Sequence, residues 1–438
     1  MTSQKSQRAQ LRVRVAYFYR RLRREVLNHL RQQSILRWRW LAALVKLISI
    51  RDPVQRFARM ANICNAFESS RLITMCLRKH VLAYGDRADI YPEKHAVIRL
   101  RFSVIVKPYV SEHEKGILLV LFQAELEKLL NRKVLATLEQ RYHIIFCQAY
   151  TGFLSMALVA LAARTSSRFY VMPVHTHEQT LCRHLGSCCR MLPFSAASWV
   201  REGELVGYKG RRDIDCLMVA NFANYKRHWL LFKVLRKLPP EVTAVCVGVP
   251  LKGRTAATVR EEAREYGVSD RVTIVERAKD NELRELFQRA KVFCAFSDKE
   301  GSFVAVAESL LAGTPVVMFK NAIIGTKDAI DQSNGALVSS ATQARSAVLH
   351  FLNGANHAEI RANAKGIFSS TVSCAKLNEL LKDDALRSGG KWSEDVEPFY
   401  LQHLYWYYHS QDGYSRTQKD YSWLKSVGIE IELATTTE

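Results

Sequence analysis

The sequence contains no run of 18 uncharged apolar residues. Its most apolar stretches, Leu41–Ile50 and Phe153–Ala163, fall short of the roughly 20 residues that a membrane-spanning helix needs. There is no cysteine framework either. Ten cysteines are scattered singly, apart from Cys182, Cys188 and Cys189, and no secretory apolar segment opens the chain. That pattern implies reduced thiols in a cytoplasmic setting rather than disulfides. Acidic residues are scarce at the start: residues 1–60 hold 15 Lys or Arg against only Glu25 and Asp52. A disordered composition is excluded, because 48% of the residues are hydrophobic and 24% charged, as in folded domains.

A chain of 438 residues exceeds what one hydrophobic core sustains, so two domains are expected. The net charge of +22 sits mostly in the first 60 residues and points to an anionic partner. There, residues 9–33 read as a basic amphipathic helix. Leu11, Val15, Phe18, Leu22, Val26 and Leu30 form one stripe, with Arg20, Arg24 and Arg31 opposite and Arg14 and Arg21 flanking. Arg37, Trp38, Arg39 and Trp40 follow. Such a mixture suits an anionic membrane interface, on which the protein would lie as a peripheral partner of the cytoplasmic face. The same residues also fit a helix packed on the protein's own body, or an Arg-rich mitochondrial presequence. No nucleic-acid-binding motif accompanies the charge, so nucleic acid is the less favoured partner.

Alternation of apolar runs with helical stretches predicts α/β architecture from residue 96 onward. In the first half the runs are Val97–Val106, Ile117–Phe122, His143–Cys147, Arg168–Pro173 and Met191–Phe194. In the second half strands are expected at Asp215–Ala220, Val242–Gly248, Arg271–Val275, Lys291–Ser297, Thr314–Phe319 and Ala336–Ser339. Helices fill the gaps at Arg227–Leu238, Thr255–Tyr266, Asn281–Ala290, Phe303–Ala312 and Thr342–Phe351. Two Rossmann-like, doubly wound domains facing across a cleft follow. The expected division is a helical extension over 1–60, an N-terminal domain over 61–205, a C-terminal domain over 206–390, and a helical segment over 391–438 packing across both. Glu202–Arg212 reads as the linker.

The stretch from Ser297 to Val317 carries the chemistry. A buried strand ends near Ser297, a polar loop follows, and a helix opens near Ser302 and stops at Gly313 and Pro315. The N–H groups of Gly301, Ser302 and Phe303 at that helix start make a ready phosphate site. Glu300 precedes the helix, and Glu308 lies about one and a half turns inside it. Two carboxylates so placed can each accept paired hydrogen bonds from a vicinal diol. A pair of glutamates at this spacing also arises by chance, and only the surrounding strand–loop–helix–strand frame gives it weight.

In that frame the segment resembles the donor-site signature of retaining GT-B glycosyltransferases, the large Glu-x7-Glu group of family 4-like enzymes. Glu300, Gly301, Glu308, Gly313, Pro315, Val316 and Val317 carry the likeness. So do Lys226, Val247-Gly248, Asp270-Arg271-Val272 and Asn334-Gly335. The resemblance implies transfer of a sugar from a nucleoside diphosphate sugar to an acceptor hydroxyl, in glycan or glycolipid assembly. Glu300 would meet the sugar hydroxyls, Glu308 the ribose, and Lys226 the diphosphate. The co-substrate is the nucleotide sugar, and no metal or other cofactor is implied. A histidine at a strand end belongs to the pattern, and Pro173-Val-His-Thr-His offers His177 first and His175 second. Two departures stand out. Asn221 occupies the place of the family's arginine, with Arg227 a possible substitute, and the N-terminal half lacks the Gly-Gly loop. A non-catalytic scaffold, or an enzyme acting on protein or nucleic acid, remains the rival reading. His177, Cys182, His184, Cys188 and Cys189 invite a zinc hypothesis, but their spacing matches no standard ligand pattern.

Overall fold

The computed structural model describes residues 97–148, 155–174, 185–205 and 210–433, with parts of 13–26 and of 179–182. The described residues among 13–26 are helical and are called α1. The patch at Arg37–Trp40, like His175, His177 and His184, lies outside the described residues.

The first sheet is built from β2 (Ser103–Lys107), β3 (Gly116–Leu121), β4 (Tyr142–Cys147), β5 (Phe169–Met172) and β6 (Cys189–Met191), in that order across the sheet. β2 is antiparallel to β3, and the other pairs are parallel. Both faces of β3 are buried, consistent with helices on the faces of a parallel sheet. Helices α2 (Gln123–Lys128), α3 (Arg132–Arg141) and α4 (Met156–Arg164) supply part of that cover.

The second sheet holds β7 (Ile214–Val219), β8 (Ala244–Gly248), β9 (Val272–Glu276), β10 (Ala290–Ala295), β11 (Val316–Phe319) and β12 (Gly335–Val338). All neighbours are parallel, and the order across the sheet is β9-β8-β7-β10-β11-β12. This is the doubly wound order, with its reversal between β7 and β10. The helices are α5 (His228–Leu235), α6 (Ala256–Glu265), α7 (Asp280–Arg289), α8 (Val304–Leu311), α9 (Ala341–Asn353) and α10 (His357–Phe368). The ends of these elements match the sequence expectation to within a few residues.

Gly313 ends α8 with φ 80, and a Cβ built there would stand 2.5 Å from the His357 carbonyl oxygen. The left-handed backbone and the close approach of α10 both demand glycine. Gly313→Ala is therefore expected to cost about 1–3 kcal/mol. Urea unfolding would read this as a lower midpoint at unchanged slope, and an unaltered midpoint would contradict it.

Two differences from the sequence expectation concern the C-terminal third. Helix α11 (Ser370–Arg387) was expected in the C-terminal domain, whose boundary was set at 390. Instead Cys374, Leu377 and Leu381 bury themselves against Val104, Ile117 and Leu119 of the first sheet. Arg168 and Tyr170 also reach back to Asp384. The residues after 390 are not simply helical. β13 (Phe399–Gln402) and β14 (Tyr405–Tyr408) form an antiparallel hairpin, followed by helix α12 (Gln411–Ser426) and strand β15 (Ile429–Ile431). The run of aromatic and β-branched-like flat side chains favours strand over helix. Phe399 stacks on Trp199 at 4.6 Å, with Trp406 beside both. β15 pairs in parallel with β1 (Ile98–Leu100). α12 caps the open edge of β2: Tyr421 Oη accepts from Ile105 N, and Asp420 accepts from Tyr109 N and Tyr142 Oη. Edge strands with unpaired N–H groups invite aggregation, and here side chains satisfy them.

Candidate active site

Ligands of open α/β sheets bind beyond the strand carboxyl ends, where the strand order reverses. The two loops at that point follow β7 and β10. The first carries Asn221 to Arg227 and the second Ser297 to Phe303. Backbone bonds tie them together: Asp298 N donates to Tyr225 O at 2.8 Å. The second loop is held on its other side as well, with Glu300 N on Ile323 O and Gly325 N on Gly301 O.

Lys226 ends a short 3-10 turn, Asn224–Lys226, and its ammonium is ion-paired to Glu300. Only 8% and 12% of the two side chains is exposed. The ammonium also lies over the rings of Tyr225 and Phe303, at 5.3 and 5.2 Å. Phe303, with φ 47, caps α8, so the helix begins at Val304 rather than Ser302. Among the described residues, no group accepts from the N–H of Gly301, Ser302 or Phe303. The structure thus brings Lys226, Glu300 and a helix N-terminus to one spot, as the residues implied. It is a mouth suited to an anion.

The other expected residues lie as follows. Ser302 is 2% exposed, and its hydroxyl accepts from Ala196 N at 3.1 Å, joining the two domains. Asn221 shapes its own loop, accepting from Ala223 N and donating to Tyr225 Oη. Arg227 is turned away from the mouth. Its guanidinium is buried and donates to the carbonyls of Phe296 and Ser297 and to Asp298, tying off the end of β10. Three built-in acceptors and the left-handed backbone at φ 58 account for this placement, so Arg227 does not replace the missing arginine. A cation that sequence reasoning missed borders the same loop. Lys252, in the turn after β8, lies 5.4 Å from the Tyr225 ring that Lys226 also covers. The Lys-Gly turn following a strand was its only signal.

Glu308 lines a separate cavity of about 200 Å³ with Val304, Asp280, Arg284, Arg201 and the tip of the β13–β14 hairpin. Burial pushes its carboxyl up to about 7, against the nearby His403 and Arg284 charges that pull it down. Among the described residues, none donates to this carboxylate. On the facing domain, β5 runs into the site. A Cβ on Gly325 would meet the Val174 carbonyl at 2.5 Å and that of Gly301 at 3.2 Å. The stretch holding His175 and His177 continues from Val174.

Two α/β domains meeting over a switch-point site of this kind make the architecture GT-B. Residues 209–365 match the family of glycosyl transferases group 1. The match is confined to the C-terminal domain, which is of the glycosyltransferase type. Solved structures similar to it include HepE of Anabaena in complex with UDP, at 17% identity and TM-score 0.49, covering 62% of this chain and 79% of that one. Sucrose-phosphate synthase from Thermosynechococcus elongatus is also similar, at 17% identity and TM-score 0.48, covering 63% and 74%. None of the curated proteins matches the sequence.

Proposed function

We propose that the protein transfers a sugar from a nucleoside diphosphate sugar to an acceptor hydroxyl with retention of configuration. The observation that carries this reading is the Lys226–Glu300 pair beside the α8 N-terminus, at the strand-order reversal. Lys226 and the N–H groups of Gly301–Phe303 hold the diphosphate and stabilise the charge that develops as it leaves. Glu300 exchanges its ion pair for hydrogen bonds to the sugar hydroxyls, and Glu308 accepts from the ribose diol. His177, or failing it His175, lies near the sugar. The acceptor hydroxyl attacks the sugar on the face from which the diphosphate departs and passes its proton to the departing phosphate oxygen, so no metal and no protein nucleophile is needed. Closure of the two domains excludes water.

The test is thermal stabilisation by a panel of nucleotide sugars, without metal and with Mg²⁺. Stabilisation by one donor without metal, lost in Lys226→Ala, supports the reading. No shift with any nucleoside diphosphate sinks it.

The reading extends to an acceptor at a membrane surface, and α1 supports it. Lys233 pairs with Glu25 at 2.7 Å, and Arg20 approaches Glu261 and Glu265, docking the helix on the C-terminal domain. That contact leaves Val15, Phe18, Leu22 and Val26 about half exposed, facing outward. Arg21 flanks the stripe, its guanidinium 5.5 Å from the Phe18 ring. An apolar stripe flanked by cations suits the surface of an anionic bilayer. Among the described residues no helix is long and apolar enough to cross a membrane. Phe18→Glu with Leu22→Glu is expected to reduce sedimentation with phosphatidylglycerol vesicles at least tenfold, at unchanged nucleotide binding. Equal sedimentation of wild type and variant would remove the membrane from the proposal.

A further inference from the structure

The β13–β14 hairpin turns on two residues, His403 at φ 48 and Leu404 at φ 70. Both are left-handed, a turn that normally selects Asn-Gly. Keeping two ordinary side chains there is costly, and such a turn persists only where the surroundings enforce it. The enforcing contacts converge on Asp280, the first residue of α7. Gln402 Nε2 donates to Asp280 Oδ2 at 2.6 Å, and His403 Nε2 lies 2.5 Å from Asp280 Oδ1.

That clip carries the turn across the cavity lined by Glu308. The roots of the hairpin are fixed by Phe399 and Trp406 against Trp199, so the tip is positioned by a rigid element. The result is a half-open chamber in which polar groups stand among apolar walls. Glu308, Arg284, Arg201, Gln402 and His403 all line it.

We propose that the C-terminal hairpin is the nucleoside-reading wall of this enzyme: Gln402 and His403 contact the ribose and base of the donor. The inference rests on the donor-site reading above, in which Glu308 meets the ribose. A base entering beside α8 then shares the cavity with the hairpin tip. An amide and an imidazole offer both donors and acceptors to its edge. A segment far along the chain from residues 209–365 thereby sets which nucleotide the domain prefers.

The experiment is calorimetric titration without metal of UDP, GDP, ADP and inorganic pyrophosphate. The proteins are wild type, Gln402→Ala, His403→Asn and Lys226→Ala. Asparagine tolerates the left-handed region, so His403→Asn keeps the turn while removing the imidazole. The expected result is that both hairpin variants bind the preferred nucleotide about tenfold more weakly and compress the ranking among bases. Pyrophosphate, which reaches only the Lys226 end, should bind them as it binds wild type. Unchanged nucleotide affinities in the hairpin variants, with loss in Lys226→Ala, overturn the inference and leave the donor site standing. Parallel loss of pyrophosphate in the hairpin variants also overturns it, because the hairpin then only supports the fold. A wild-type protein that binds none of the nucleotides overturns both readings.

Discussion

Lys226→Ala is expected to lower kcat/KM by about 10²–10³, the usual consequence of removing one electrostatic stabiliser of a leaving group. The stability effect should be equally diagnostic. With 8% and 12% of the two side chains exposed, the Lys226–Glu300 pair is mostly shielded from water. Deleting the ammonium leaves Glu300 nearly buried without its partner, at a cost of about 3 kcal/mol in the ligand-free protein. Lys226→Met combined with Glu300→Gln should recover most of that stability while leaving the enzyme inactive. Denaturant unfolding of the two singles and the double measures the coupling. Strictly additive singles would mean that the pair is decorative, and the site would need another anion-binding group.

The second large effect belongs to Glu308→Gln. The carboxyl titrates near 7 in the fold, against an ordinary value of 4.5. Between those values the folded state binds more protons than the unfolded one, so stability falls as pH rises through that window. The loss is complete above about 7 and amounts to at most about 3 kcal/mol. Glutamine removes it. The variant should match wild type near pH 5 and exceed it at pH 8 in thermal unfolding. Donor binding should move the opposite way. Wild-type affinity rises from pH 6 to 8 as the carboxylate forms, whereas the variant is weak and flat. His228 complicates the acid side. Burial holds its imidazole down at about 3, helped by the Arg254 and Lys226 charges. Its contribution is therefore lost as pH falls below 6.5. The two groups oppose each other between about 4.5 and 6.5, and Glu308→Gln should unmask the histidine slope. A variant no more stable than wild type at pH 8 would show that Glu308 is already solvated.

The C-terminal domain was legible because its punctuation is strong. Gly313-Thr-Pro315 stops one helix and starts the next strand, and each buried strand is a short apolar run bounded by polar residues. Lys226, Glu300 and Glu308 could be found because strand ends in such a sheet converge. What failed was where side chains point. Arg227 and Lys226 are neighbours with the same charge, yet one faces three backbone and side-chain acceptors and the other the mouth. The hairpin escaped because its turn is His403-Leu404, a pair with no turn signature. Helix α11 was assigned to the domain that precedes it, since its apolar face gives no hint of which sheet it meets.

The pairing of β15 with β1 has a consequence for biosynthesis. Residues 429–431 form a two-stranded parallel sheet with residues 98–100, and α12 caps β2. A nascent chain emerging in order cannot pair β1 or cover the edge of β2 until residues 411–431 have been made. The nucleotide-binding half, continuous in sequence, can finish first. Maturation thus runs backward relative to synthesis, and a stop or a bulky fusion near residue 425 would injure the half of the molecule made earliest.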